Sequence, residues 1–391
     1  MTSITSIMNI LFKMINKSYF LQSDNILGAI LAGFFSAGML KFLFPSLESF
    51  LWPFLIGSFL LLLFTLIYEE RFTVSQIHII FVSIILFFFL LSSVINNYFI
   101  FELFAQLIFL MIIFLCWPLF KESVSYVFIS LVFLFSLYMA MKHSFCLFQS
   151  LYCYEGGYLT SAYAISNLSV IVLSYLSYKI FKGSRFSTQL VFVLFIYLFI
   201  LFLLINHYSR GAFLFAILQL ILTTLLLIYR SKNSAIIFSF FIFLSVLIIL
   251  NIGIDDYFLF EKISRLFDYG SESRFDRITQ TLAHYDLSTL LFGMGIGASE
   301  IIVENYPHNY ILQIILDSGF IAFLFIYVPF FYMIIKLYLQ SNIFNDFLAI
   351  TIISISLNIF LYTMVSSSFY AGFQFCVIYA LLTNTYFRVF K

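Results

Sequence analysis

Charge is scarce in this chain. Only 9% of its residues are Asp, Glu, Lys or Arg, 63% are hydrophobic, and the mean hydropathy is +1.09, whereas a soluble globular domain devotes about a quarter of its residues to charge. That excludes a soluble enzyme and predicts an all-α polytopic membrane protein. Proline (5) and glycine (15) are few among 391 residues, so helices interrupted within the membrane are not expected. The four cysteines lack metal-ligand spacing, which argues against a zinc site. No Walker-type loop is present, so ATP is not expected as an energy source; no cofactor and no nucleic-acid partner are expected either.

Apolar runs long enough to cross hydrocarbon, about 17–25 residues each, lie near 26–44, 50–68, 77–95, 99–120, 124–141, 159–178, 188–206, 211–229, 234–254, 310–335, 347–365 and 369–387. They predict about twelve transmembrane helices in a single integral membrane domain over 1–391. The runs are continuous rather than alternating, which argues against a barrel. The stretch Met1–Asp24 carries Lys13 and Lys17 and no small-residue cleavage pattern, so no removable signal peptide is expected. With the N-terminus inside, 12 of the 19 basic residues fall on the cytoplasmic side. The other seven are Lys41, Lys142, Arg210, Lys262, Arg265, Arg274 and Arg277. The positive-inside rule therefore favours cytoplasmic termini.

Four of those seven lie in one external loop, about 255–309, the largest segment outside the spans. Every cytoplasmic connection is short, so any chemistry should face outward. A second external loop, about 142–158, holds Cys146 and Cys153, which can pair in an oxidising compartment. Cys116 and Cys376 read as buried apolar residues.

The segment 306–327, YPHNYILQIILDSGFIAFLFIY, opens the tenth run with polar residues. Pro307 suits a helix start, which places His308 near the first turn at the membrane face. On an unbroken helix of 3.6 residues per turn, His308, Leu312, Ile315, Gly319 and Ala322 form one stripe that narrows to small residues. Such a stripe lets a neighbouring helix approach closely, and Asp317 falls on the opposite face. Alternatively, His308 is an interfacial residue bonded to headgroups.

Arg210, in NHYSRGAFLFAIL (206–218), sits between two spans, where a charge needs a partner or a ligand; snorkelling to lipid phosphate is the other reading. In GSESRFDRITQTLAHYDLSTLLFGMGIGAS (270–299), Arg274 and Arg277 are spaced for one helix face and can grip a pyrophosphate in fork geometry. Pairing of Arg277 with Asp276 or Glu272 is the plainer alternative. Gly293, Gly295 and Gly297 allow a tight turn or close backbone approach, but no strand–loop–helix context supports a nucleotide site.

SRG at the head of a span, then SRFDR and LFGMGIG in a large external loop, then His308-Asn309 and, ten residues after Asn309, Gly319 within GFIA, resembles the O-antigen polymerase and ligase superfamily of Wzy-type polymerases and WaaL-type ligases. The resemblance covers roughly 205–325 and the twelve-span plan. The ligase version of the histidine motif usually ends in Gly, Thr or Tyr where this chain has Ala322.

The resemblance implies a metal-independent, inverting glycosyltransferase of the GT-C type at the periplasmic face of a bacterial inner membrane. Its donor would be a glycan on undecaprenyl pyrophosphate. The acceptor would be another carrier-linked repeat unit for a polymerase, or lipid A–core for a ligase, and a chain-length regulator would be a possible protein partner. Arg210, with Arg274, Arg277 and Arg265, would bind the pyrophosphate in the role a divalent metal otherwise fills. His308 would be general base or orienting group, with Gly319 and Ala322 as helix-packing residues. The compact loop and the Phe- and Tyr-rich spans favour polymerase. A different class also fits twelve helices, namely a lipid-linked oligosaccharide flippase or transporter. Its requirement for charged or broken helices near the midplane is poorly met, since Glu102, His78 and Asp317 are the few such side chains in or near the spans.

Overall fold

Apolar runs become helices here because, without water, a backbone must satisfy its own hydrogen bonds. The structure is a computed structural model and describes residues 23–37, 40, 48–68, 76–148, 158–182, 188–206, 210–230, 279, 281–284, 286–302, 309–340, 342–364 and 373–390. Among these, secondary structure is helical, with one isolated parallel bridge between Phe99 and Ile296. The α-helices are α1 (Ser23–Phe35), α2 (Glu48–Tyr68), α3 (Gln76–Asn96), α4 (Phe101–Leu115), α5 (Glu122–Phe148), α6 (Tyr158–Phe181), α7 (Thr188–Asn206) and α8 (Arg210–Arg230). After these come α9 (Leu287–Phe292), α10 (Ala298–Ile302), α11 (Tyr310–Leu339), α12 (Phe347–Thr363) and α13 (Phe373–Phe390).

Among the described residues, five stretches are long and apolar enough to cross a membrane: His78–Asn96, Phe101–Leu119, Glu122–Cys146, Ala162–Phe181 and Tyr310–Leu339. Shorter apolar helices include Asp24–Phe35, Val191–Leu204 and Phe347–Thr363. The protein is thus a multi-pass membrane protein whose described residues are built of helices. The ninth expected span, 234–254, and most of the 255–309 loop lie outside the described residues.

The chain divides into two compact units. One comprises Met1–Arg71, Leu119–Ile263 and Tyr338–Asn358, the other Phe72–Pro118, Ser264–Leu337 and Ile359–Lys391. In the first unit, α1 packs on α5, where a Cβ at Gly28 would lie 2.7 Å from the Val124 carbonyl oxygen; only a glycine lets the two backbones come this close. The polar side chains of α6 turn inward. Ser174 and Ser177 donate to carbonyls four residues back, Ser166 Oγ donates to Asn358 Oδ1 (2.9 Å), and Asn358 Nδ2 donates to Asn167 Oδ1 (2.9 Å). Gln219 Nε2 donates to the Ser354 carbonyl at 2.8 Å. Cys146 is disulfide-bonded, while Cys116 and Cys376 are free and buried. Cys153, the chain's remaining cysteine, lies outside the described residues.

In the second unit, α4 packs along α13 around an aromatic core. Phe330 lies 5.2 Å from Phe375 and 5.3 Å from Tyr379, and Tyr379 Oη donates to the Ile326 carbonyl at 3.0 Å. A buried tyrosine keeps its hydroxyl satisfied in this way. At the far end of α13, Trp117 stacks on Phe387 (4.9 Å) and its carbonyl accepts from Asn384 Nδ2 (3.2 Å).

Candidate functional site

The end of α3 reads SSVINNY, and each polar residue in it has a task. Asn97 adopts φ 51° and the Tyr98 N–H reaches the Ser93 carbonyl (3.1 Å), a Schellman-type stop in which a left-handed residue closes the helix. Ser93 Oγ donates to the Phe89 carbonyl (3.1 Å) and accepts the Ile296 N–H (3.0 Å). Ser92 Oγ donates to the Asp317 carbonyl (2.8 Å) and accepts the Gly295 N–H (2.8 Å). Asn96 Nδ2 donates to the carbonyls of Ser92 (2.8 Å) and Gly293 (3.0 Å). One helix end thereby carries the backbone of the Gly293–Gly297 loop.

That loop requires its glycines. Gly293, Gly295 and Gly297 have φ of 73°, 108° and 86°. A Cβ at Gly293 would lie 2.5 Å from Ser318 N, one at Gly295 2.5 Å from the Tyr98 carbonyl oxygen, and one at Gly297 2.6 Å from Ile100 Cδ1. The loop is wedged between the α3–α4 turn and α11.

On the α11 side, the helix is broken to receive it. Gly319 has φ 87° and ψ 166°, a region open in practice only to glycine, and a Cβ there would collide with the Leu291 carbonyl. The Leu316 carbonyl accepts the Met294 N–H (2.6 Å) and the Asp317 carbonyl accepts the Gly295 N–H (3.1 Å). External donors thus satisfy helix carbonyls just before the break, as non-helical backbone at membrane depth demands. Asp317 itself is fully buried. Its Oδ1 accepts the Ser299 N–H (2.8 Å) and its Oδ2 the Ser299 hydroxyl (3.0 Å). Beside it, the Tyr98 phenol is pushed above its ordinary pKa by burial first, then by the charges of Asp317 and Glu300.

This geometry corrects four expectations. The scarcity of glycine and proline predicts unbroken spans, yet α11 leaves helical geometry at Gly319. The stripe Leu312, Ile315, Gly319, Ala322 is therefore interrupted, and what approaches Gly319 is the 291–292 backbone rather than another span. Asp317, expected to face away, is held against the loop. The helix also starts later than Pro307 suggests: Asn309 caps it, its side chain accepting the Leu312 N–H (3.2 Å) and its carbonyl the Gln313 N–H (3.0 Å).

Of the sequence-derived site residues, Gly319 is at the break and Ala322 is fully buried. Arg210 is the first residue of α8; its side chain, together with Arg265, Arg274, Arg277 and His308, lies outside the described residues. Among the described residues, no three His, Cys, Asp or Glu side chains are gathered as metal donors. Sequence reasoning missed Ser92, Ser93, Asn96 and Ser299. Their only signal is a polar cluster ending one span and a serine two residues beyond the last glycine of the loop.

Residues 193–327 match the family pattern described as O-Antigen ligase. The matched range takes in Arg210, the three loop arginines, His308, Gly319 and Ala322. It supports the O-antigen polymerase and ligase superfamily without separating the two activities. No curated protein and no solved structure matches the chain.

Proposed function

With the superfamily pattern running from 193 to 327 as the premise, we propose that this protein is an O-antigen polymerase that joins undecaprenyl-pyrophosphate-linked repeat units at the periplasmic face of the inner membrane. The observation that carries the reading is that one family pattern spans Arg210, the arginine-bearing loop and His308 in a multi-pass helical protein. In the proposed reaction an acceptor hydroxyl oxygen attacks the donor's anomeric carbon from the face opposite the leaving group. The bond from that carbon to the pyrophosphate oxygen breaks and the configuration inverts. Arg210, Arg274, Arg277 and Arg265 neutralise the departing pyrophosphate, an electrostatic contribution that grows as charge develops. His308 takes the hydroxyl proton or orients the acceptor, a task its near-neutral imidazole suits.

Helix-end contacts support the alternation of spans on which this topology rests. In the first unit Asp24 meets Lys121 (3.1 Å) and Phe181 packs on Phe344 (5.3 Å). In the second, Trp117 packs on Phe387 (4.9 Å). Each pair joins ends that alternating spans put on one side of the bilayer.

The description of the matched family favours a second reading, transfer of the glycan to lipid A–core. Purified protein in liposomes, given one synthetic undecaprenyl-pyrophosphate-linked unit without ATP, separates the alternatives. A ladder of lengths supports the polymerase. Product only when lipid A–core is added supports the ligase, and translocation without any new bond supports a flippase and sinks both.

A further inference from the structure

The loop that sits on α11 also carries an apolar surface that none of the described residues covers. Leu287 is 73% exposed and Ile301 61%, with Leu290 and Phe292 exposed between them; on the neighbouring α3–α4 turn Phe99 is exposed, and Phe101, the first residue of α4, is 69% exposed. Six large apolar side chains on adjoining backbone form the kind of patch that soluble surfaces avoid. Spacing along the chain does not explain them, because α9 exposes apolar residues on more than one side.

Their depth does. α3 has 21 residues, about 31 Å at 1.5 Å per residue, which matches a hydrocarbon core of about 30 Å. The loop hydrogen-bonds to Ser92, Ser93 and Asn96, so its backbone lies level with the last turn of that span. On the same turn Val94 (72%) and Ile95 are exposed apolar residues of a membrane helix. The exposed face of α9 and α10 therefore continues the lipid-facing surface of α3. At the outer end of α9 stands its exposed N-cap, Asp286, a charge fit for headgroup level.

We propose that Leu287–Ile302 is a membrane-inserted segment, whose exposed apolar side chains dock among lipid acyl chains of the leaflet on the side of the α3–α4 turn. The segment is then a part of the membrane domain and not a water-borne loop, whatever reaction the protein performs.

The test is fluorescence depth measurement in phosphatidylcholine vesicles. Leu287→Cys and Ile301→Cys are each labelled with a thiol-reactive environment-sensitive dye. Asn342→Cys, on the exposed turn between α11 and α12, is the aqueous reference. An acyl-chain nitroxide at a shallow carbon should quench positions 287 and 301 about threefold more than 342, as for side chains buried several ångströms into the interface. Iodide on both sides of the vesicles should give the reverse order. Leu290→Cys, also exposed on α9, supplies the same reading within the segment should a variant at 287 or 301 fail to fold. Iodide quenching at 287 and 301 equal to that at 342 overturns the proposal. Shielding from both quenchers also overturns it, because a protein surface would then be the occupant.

Discussion

Ser299 gives both of its donors to Asp317: its N–H to Oδ1 at 2.8 Å and its hydroxyl to Oδ2 at 3.0 Å. The clasp fastens the glycine loop to α11 just before the helix breaks at Gly319.

Asp317→Ala removes both acceptors and leaves a buried N–H and hydroxyl unsatisfied, a loss of about 1–3 kcal/mol. Asp317→Asn should be far milder, because a carboxamide oxygen still accepts the Ser299 N–H while its NH2 donates to the serine oxygen. Thermal unfolding in detergent distinguishes them. Equal losses would mean that charge, not the clasp, is what Asp317 supplies.

Gly319→Ala meets two penalties. Its φ of 87° and ψ of 166° cost a non-glycine residue on the order of 1–3 kcal/mol, and the methyl group would strike the Leu291 carbonyl. Gly57 is the control. A Cβ there meets nothing within 4 Å inside α2, so Gly57→Ala should be neutral or stabilise by up to about 1 kcal/mol. The same unfolding assay reads both, and a harmless Gly319→Ala would refute the broken-helix seat.

Asp286 caps α9 by accepting the Thr289 N–H at 2.7 Å. That backbone bond first, with side-chain bonds from Thr289 and Ser288, lowers its pKa. A depressed carboxylate stabilises the folded state fully above its unfolded pKa, and the benefit is lost as pH falls through the lower folded value. Hydrogen exchange of the 287–292 amides should therefore show excess opening, beyond the intrinsic pH effect, only in acid. Asp286→Asn should keep the cap and lose that dependence.

If His308 is the general base, His308→Ala lowers turnover by about 10²–10⁴-fold and abolishes the fall in rate as pH drops below neutral. Arg210→Lys keeps a charge but not the guanidinium fork, so it should weaken donor binding more than a purely coulombic role allows. Both are read as ladder formation against pH and donor concentration. An Arg210→Lys enzyme with native kinetics would argue against pyrophosphate gripping.

Much of the helical plan was legible because apolar runs report burial in lipid directly. The runs 77–95 and 99–120 correspond to α3 and to α4 with the turn that follows it. Where polar residues continue a helix, the boundary slipped: 124–141 became Glu122–Phe148, since Lys142 and His143 look like a terminus although His143 is buried. The glycine seat was illegible for a different reason. Gly319 reads equally well as a small residue in a stripe or as a break, and only its distant partners Leu291, Met294 and Gly295 decide between the two. The arginine and histidine positions came from motif spacing and resemblance, which name residues without fixing their geometry.

The amide pair between α6 and α12 bears on how the chain enters the bilayer. Asn167 is synthesised 191 residues before Asn358, the residue that donates to its carboxamide oxygen. At about 5–20 residues per second, translation separates the two by on the order of ten to forty seconds. During that interval α6 carries a polar side chain still lacking its final partner, so nascent α6 must be sheltered by insertion machinery or by earlier helices. Photo-crosslinking from position 167 in stalled chains ending before and after Asn358 would record the handover.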